Sequence, residues 1–247
     1  MLNDRTYRVK LAESDAERAA AQALRYDIFV REGGATPTVS ASGREHDDFD
    51  AAADQLILLS GHDVVGTYRL LRDDAARDGP GFYSDTEYDL SPLTATGRPL
   101  LELGRTCLAP AHRGGAALGL LWRAVADYVD HHGSEIVFGV ASFPGTDVGA
   151  LADGLALLHH RYRADPALRV SVRDGVTMDL RGPEAIDQLR AARTIPPLIK
   201  SYLRAGGRVG DGAFVDRIFN TTDVFMVLET AALSGLRGLP IMGRRAA

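Results

Sequence analysis

The sequence predicts an α/β domain built on one mixed sheet, and three observations lead there. QLILLS (55–60) and VVGTYRLL (64–71) are two apolar, β-rich runs separated by GHD, which reads as an antiparallel hairpin. LLELGRTCL (100–108), an amphipathic stretch at 115–132 with Leu118, Trp122, Val125 and Val129 on one side, and EIVFGVAS (135–142) follow as strand, helix, strand. That order implies a βαβ unit with parallel pairing. GAFVDRIFNTTDVFMVLE (212–229) closes the chain with two more strand runs around FNTTD, consistent with an antiparallel pair.

The other elements follow in order. YRVKL at 7–11 is a short first strand. Ser14 as N-cap, with Glu17 completing a capping box, starts a helix over 15–30 in which Ala20, Leu24 and Ile28 recur at helical spacing. Residues 31–54 are rich in Gly, Ser, Pro and acids without a steady period, so they form a long loop of the kind that is usually functional or mobile. Residues 73–99 are a second irregular segment. A helix is expected over 148–163, a strand over 167–172, a helix over 183–192, and a short helix opening at Pro196 and Pro197 and stopped by Gly206 and Gly207. No repeat divides the chain, so residues 1–247 are expected to form a single domain, with 230–247 an unassigned tail.

Composition narrows the functions. The 247 residues are 45% hydrophobic and 25% charged with net charge −5, ordinary for a globular protein and without the basic excess that tracks a phosphate backbone. Nucleic acid is therefore not an expected partner. Cys107 is the only cysteine, which excludes an internal disulfide, and no set of His, Cys and carboxylates has zinc-ligand spacing. The first residues lack an apolar signal core and no apolar run reaches the roughly 18 residues of a membrane span. The expectation is a cytoplasmic protein, with contact at the inner membrane surface left open.

Charged residues inside apolar strands mark the chemistry. Glu102 and Arg105 sit in LLELGRTCL, and burying a charge without a partner costs several kcal/mol. Three residues apart on a regular strand they face opposite sides; Gly104 between them is a candidate bulge that turns both toward one cleft. A carboxylate there can take the proton that an α-ammonium must lose before it attacks a thioester, or it can be half of a structural ion pair with Arg105 or Arg69. Arg69 can hold a carboxylate in a bidentate fork or pair with Glu102. Among the loop acids Glu45, Asp47, Asp48 and Asp50, the pair Asp48 and Asp50 can hold a cationic side chain, or the run is a solvated face. Arg113, Gly114 and Gly115 precede a helix, a place where a phosphate meets backbone N–H groups, or an ordinary helix start. Cys107 and Trp122 read as core.

R25-x-x-x-F29, REHDDFD (44–50), GTYRLL (66–71), ELGR (102–105), SFPGTD (142–147), PPLIKSYLRAGGRVGDGAFVD (196–216) and FNTTDV (219–224) together resemble the ornithine acyltransferases, bacterial enzymes that make the precursor of ornithine lipids. The resemblance implies a GNAT-like fold with a mixed, mostly antiparallel sheet flanked by helices. It also implies transfer of a 3-hydroxyacyl chain from acyl carrier protein to the α-amine of ornithine, giving lyso-ornithine lipid. No cofactor is implied; the co-substrate is an acyl-phosphopantetheine on the carrier protein. On this reading Glu102 and Arg105 are catalytic, with a backbone N–H at the bulge as oxyanion donor. Arg25, Phe29, Asp48, Asp50 and Arg69 bind the acceptor, and Arg113, Gly114 and Gly115 meet the pantetheine phosphate. R-G-G-A-A-L departs from the fuller R-x-x-G-x-G/A loop of coenzyme A users. The alternatives are an acyl-homoserine-lactone synthase, an N-acyltransferase for another amino acid such as glutamine, and a non-catalytic acyl-chain binding module. R-x-x-x-F, the acidic loop and E-x-x-R suit the lactone synthases too, but the Trp they carry soon after the Phe is missing and SFPGTD is foreign to them.

Overall fold

The computed structural model describes residues 7–36, 43–114 and 116–231, so Gly115 and residues 232–247 of the unassigned tail lie outside the described residues. β1 (Tyr7–Leu11), β2 (Asp54–Ser60) and β3 (Asp63–Arg72) form an antiparallel meander whose β2–β3 turn is Gly61 and His62, with the Asp63 of GHD opening β3. β4 (Tyr88–Asp89) lies far along the sheet. β5 (Leu100–Leu108) pairs antiparallel with β3 and parallel with β6 (Ile136–Pro144). β7 (Ser171–Val172), β8 (Arg208–Asp216) and β9 (Thr221–Glu229) complete a sheet of order β1-β2-β3-β5-β6-β9-β8-β7-β4, mixed and mostly antiparallel among the described residues.

The helices divide between the two faces. α1 (Asp15–Arg25) starts at Ser14, whose hydroxyl accepts from the Glu17 N–H at 3.2 Å; the Glu17 carboxylate reaches past the cap to the Glu13 N–H at 2.8 Å. The helix expected over 15–30 changes character at Tyr26, where a π-helical stretch, Tyr26–Glu32, takes over. α2 (Asp73–Arg77), a 3₁₀ turn (Tyr83–Thr86) and α3 (Ser91–Thr94) give the supposedly irregular 73–99 segment real structure. α4 (Ala117–His132) is the βαβ crossover, followed by α5 (Val148–Tyr162), α6 (Gln188–Thr194) and α7 (Pro197–Arg204). The helix expected over 183–192 is split because Asp187 takes an extended conformation and caps the Arg190 N–H at 3.1 Å, so α6 begins only there. The strand expected over 167–172 shrinks to β7, which meets β8 at one pair, Ser171 with Asp211.

Strand alternation sorts the side chains. Val137, Ala141, Phe143, Val224, Met226 and Leu228 point to one face, where Leu121, Trp122 and Val125 of α4 and Leu155 and Leu158 of α5 join them in the main core. Leu100, Phe138, Phe225 and Val227 point to the other face and are covered by Phe82, Tyr88, Leu90 and Leu93 from the 73–99 segment. On that same face Ala21 of α1 packs with Ile57 and Leu59 of β2. Between these two covers the second face is polar, and there the site lies.

β5 and β6 are paired only from Leu100↔Ile136 to Glu102↔Phe138. At the end of that run a Cβ on Gly139 would sit 2.1 Å from the Leu103 carbonyl oxygen, so only a residue without a side chain lets the strands come this close. Beyond it they part, and a cleft of about 430 Å³ opens between them.

Candidate active site

Glu102 sits at the mouth of that divergence, 3% exposed, on the polar face. Its two carboxylate oxygens accept the backbone N–H groups of Tyr83 and Ser84 at 2.9 and 2.7 Å, so the 3₁₀ turn fixes the carboxylate in one orientation. Burial raises its pKa above the ordinary value, and the hydrogen bonds offset this only in part. Among the described residues no Lys, Arg or His forms a salt bridge to it. A buried carboxylate with a raised pKa and a fixed aim is a stronger base than a free one.

A bulge does bring Glu102 and Arg105 into one cleft, but not at Gly104. Gly104 stays paired with Arg69 while Cys107 pairs with Thr67, so the extra residue falls between, and Arg105 itself takes the left-handed conformation at φ 50. The Arg105 guanidinium lies between the rings of Tyr83 and Phe219, at 4.4 and 4.7 Å. Its Nε donates to Glu45 at 3.1 Å and its Nη2 to Asp47 at 2.8 Å. It is the one Lys, Arg or His among the described residues that line the cleft.

Behind it stands a buried network. Arg25 donates to Glu45 and to Asp50, and Arg69 donates to Asp47 and, at 3.1 Å, to Asp50. Three guanidinium groups thus face three carboxylates, each partly or wholly withdrawn from water, which ties α1, the acidic loop, β3 and β5 together. Removing one member of such a set leaves an uncompensated buried charge. This places the expected acceptor contacts differently from the sequence reading. Asp50 is held by Arg25, Arg69 and Gln22, the last at 3.1 Å, and Arg69 is 2% exposed and committed to acids. Asp48 is exposed, and neither it, Asp50, Arg25 nor Arg69 lines the cleft. Phe29 does line it, edge-on to Phe219 with ring centres 6.0 Å apart, carried there by the π-helical stretch.

Glu87, Asp216 and Asp223 escaped the sequence reading. Each is at least nine-tenths buried, and their carboxylate oxygens lie within 4.8 Å of one another. Asp216 and Asp223 line the cleft, along with Ser142, Pro144, Gly145, Asn220 and Thr221. For two of them the signal was present: Asp216 ends PPLIKSYLRAGGRVGDGAFVD and Asp223 lies in FNTTDV, motifs noticed for the resemblance but given no chemical role, whereas Glu87 lies in the irregular 73–99 segment. Asp216 closes the turn after β8 by accepting the Ile218 and Phe219 N–H groups at 2.7 and 2.9 Å. Burial, then the neighbouring acids, push the Glu87 carboxyl up to about 9, and burial pushes that of Asp223 up to about 6.

Arg113 lies outside the cleft, in the turn before α4. Its Nη2 grips Glu32 at 2.8 Å alongside an Nη1 contact, and its Nε donates to the Leu108 carbonyl at 3.0 Å. Gly114 beside it has φ 76, and Gly115 lies outside the described residues. Burial pushes the Cys107 thiol up to about 12, and Trp122 stands edge-on between Tyr68 and Tyr202; both are core residues.

Comparison with known proteins returns relatives of this fold. Residues 24–123 match the acetyltransferase (GNAT) domain. The N-acyl amino acid synthase FeeM from uncultured soil microbes shares the fold at TM-score 0.57 and 12% identity over 92% of both chains, and the AHL synthase LasI at 0.51 and 18% over 94% of this chain and 96% of that one. The fold is therefore of the GNAT type. The sequence is 52% identical over 238 residues to the L-ornithine N(alpha)-acyltransferase of Rhodobacter capsulatus, covering 93% of this chain and 92% of that protein. It is 42% identical to the enzyme of the same name from Rhizobium meliloti, over 92% of this chain and 81% of the other. The chain belongs to the L-ornithine N(alpha)-acyltransferase family.

Proposed function

We propose that the protein transfers a 3-hydroxyacyl chain from the phosphopantetheine of acyl carrier protein to the α-amine of ornithine, giving lyso-ornithine lipid. The observation that carries the chemistry is Glu102, a buried, aimed carboxylate with a raised pKa at the point where β5 and β6 part. The thioester lies in the cleft between the strands, where the bulged backbone of β5 offers an N–H to its carbonyl oxygen. Glu102 takes a proton from the α-ammonium, directly or through water, and the freed amine attacks the thioester carbon. When the tetrahedral adduct collapses the C–S bond breaks, the nitrogen gives up its second proton, and the sulfur leaves as the thiol. The proton on Glu102 returns to solvent, so one amide, one thiol and one proton are the products.

Arg105 is the cation nearest to hand for the acceptor's α-carboxylate, a role the buried commitments of Arg69 make less accessible to that residue. Arg113 and Gly114 stand at the entrance to α4, where the single phosphodiester of a carrier-bound pantetheine meets the turn. Among the described residues no helix is long and apolar enough to cross a membrane. An amphiphilic product would leave by the membrane surface, so peripheral contact there belongs to this proposal.

The test is direct. Purified protein with 3-hydroxyacyl carrier protein and ornithine should release free carrier thiol and a product with the mass of Nα-acylornithine. Acyl-coenzyme A serving equally well would remove the carrier from the reading, and transfer to glutamine in preference to ornithine would replace the acceptor.

A further inference from the structure

The acids facing the second side of the sheet fall into two groups. Glu45, Asp47 and Asp50 are matched by Arg25, Arg69 and Arg105. Glu102, Glu87, Asp216 and Asp223 have no salt bridge to a Lys, Arg or His among the described residues, although all four are buried. Neither Glu87 oxygen completes a hydrogen bond, and the Oδ1 of Asp223 completes none either. The Tyr83 hydroxyl and the Ser142 and Thr221 hydroxyls lie near enough to act on these carboxyls without satisfying those atoms. Buried carboxylate oxygens without donors are costly, and three carboxylates facing one another are more so. The Arg105 charge acts on Glu87 and Asp223 without forming a salt bridge to either, and a cation with several N–H donors would supply the missing partners.

Register shows where that cation would come from. Glu102 pairs across to Phe138, and Ser142, Asp223 and Asp216 share its face of the sheet by strand alternation. The 3₁₀ turn that gives Tyr83 and Ser84 to Glu102 ends at Glu87, its C-cap. One turn of chain therefore links the base to the acid cluster, with the cleft running between them.

We infer that Glu87, Asp216 and Asp223 form the pocket for the terminal ammonium of the acceptor, and so select an amino acid with a short cationic side chain. This rests on the proposed acylation of a free amino acid at Glu102. With its α-nitrogen at Glu102, the acceptor extends its side chain toward the three acids. A primary ammonium brings three donors to the open oxygens of Glu87 and Asp223 and to the anchored carboxylate of Asp216. Entry of the cation also reverses the upward push on the two shifted carboxyls, so binding should release protons. The selectivity for a cationic side chain thus comes from the two C-terminal strands and the 73–99 segment, not from the acidic loop.

Glu87→Gln and Asp223→Asn keep shape and remove charge. Binding of ornithine and of norvaline, which has the same carbon chain without the terminal amine, is measured by calorimetry alongside kcat/KM for both. In the unmodified protein ornithine should be preferred, with proton release near pH 7. Each variant should cut the ornithine-to-norvaline ratio by about 10- to 100-fold, the worth of a charge-assisted hydrogen bond. If the unmodified protein prefers ornithine and the variants keep that ratio, the pocket is wrong while the acylation reading stands. If it binds norvaline as well as ornithine, the acylation reading loses its acceptor. Abolition of ornithine preference by a chelator, with recovery on adding Mg²⁺ or Mn²⁺, would make the cluster a metal site and overturn the inference.

Discussion

Glu102 shows how much one side chain depends on its backbone neighbours. Glu102→Gln should fold normally and lose about 100- to 10,000-fold in kcat, the usual worth of a general base, as read by steady-state kinetics with matched circular dichroism spectra. Because burial raises its pKa, the base is protonated at low pH and the wild-type rate should climb as pH rises through that raised value. The variant should lack this limb; an unchanged rate and profile would remove Glu102 from the chemistry. Glu87 gives a different prediction. Its carboxyl is pushed from 4.5 to about 9, so between those values the folded chain holds a proton that the unfolded chain has released. Stability from this residue is greatest below the unfolded value and falls as pH rises toward about 9. Glu87→Gln should therefore melt higher than wild type at pH 8, with the gap closing toward pH 5, in thermal scans without ligand. A variant that melts lower at pH 8 would show that the ionised carboxylate has a partner.

At the scale of the element, the cleft exists because β5 and β6 begin as neighbours and then part. Gly139 permits the close start: its φ of 157 and the 2.1 Å approach to the Leu103 carbonyl leave no room for a Cβ. Gly139→Ala should destabilise the protein by about 2 kcal/mol in urea unfolding, through overpacking and backbone strain together. A change below about 0.5 kcal/mol, the ordinary range for a neutral surface substitution, would mean that the strand spacing is set elsewhere. The bulge in β5 serves the same cleft. Without the extra residue, Glu102 and Arg105 would face opposite sides, and the guanidinium would be lost from the space between Tyr83 and Phe219. The sequence suggested a bulge from the presence of Gly104, but the left-handed residue is Arg105, held there by Glu45 and Asp47 from a loop about 60 residues away.

For the whole molecule the proposed donor raises the question of how an acidic enzyme would meet an acidic carrier protein. Arg113 is exposed at the turn into α4, but Glu32 already neutralises it, so on the proposed reading a carrier phosphate or carboxylate would have to compete for the guanidinium. Arg113→Glu should slow transfer from carrier-bound substrate and leave the fold intact. The exchange Glu32→Arg with Arg113→Glu restores the ion pair but not the location of the positive charge. If the exchange restores the rate, the pair is only a structural clasp between the π-helical stretch and the turn. If it does not, and if the wild-type rate falls as salt rises toward the range where the screening length is about 8–10 Å, the turn is the landing point.

The local chemistry of the chain was enough for the sheet's main strands and the crossover. GHD between two β-rich runs, the stripe of Leu118, Trp122, Val125 and Val129, and the Ser14 cap are short-range signals, and α4, the hairpin and α1 form where they point. The motifs, read as a resemblance, gave the family, and the charges in LLELGRTCL marked Glu102 and Arg105 as residues needing an explanation. Tertiary structure alone decided which charges meet. Arg69 and Asp50 carry the same formal charges as Arg105 and Asp223, yet the first two are spent on each other beside the cleft, on the same face of the sheet, and the second two line it. Glu87 lies in a stretch that local pattern reads as irregular, and it joins a buried acid cluster because β8 and β9 bring Asp216 and Asp223 to it from about 130 residues away. Pairing energy between charges depends on distance through space, which a linear sequence does not carry.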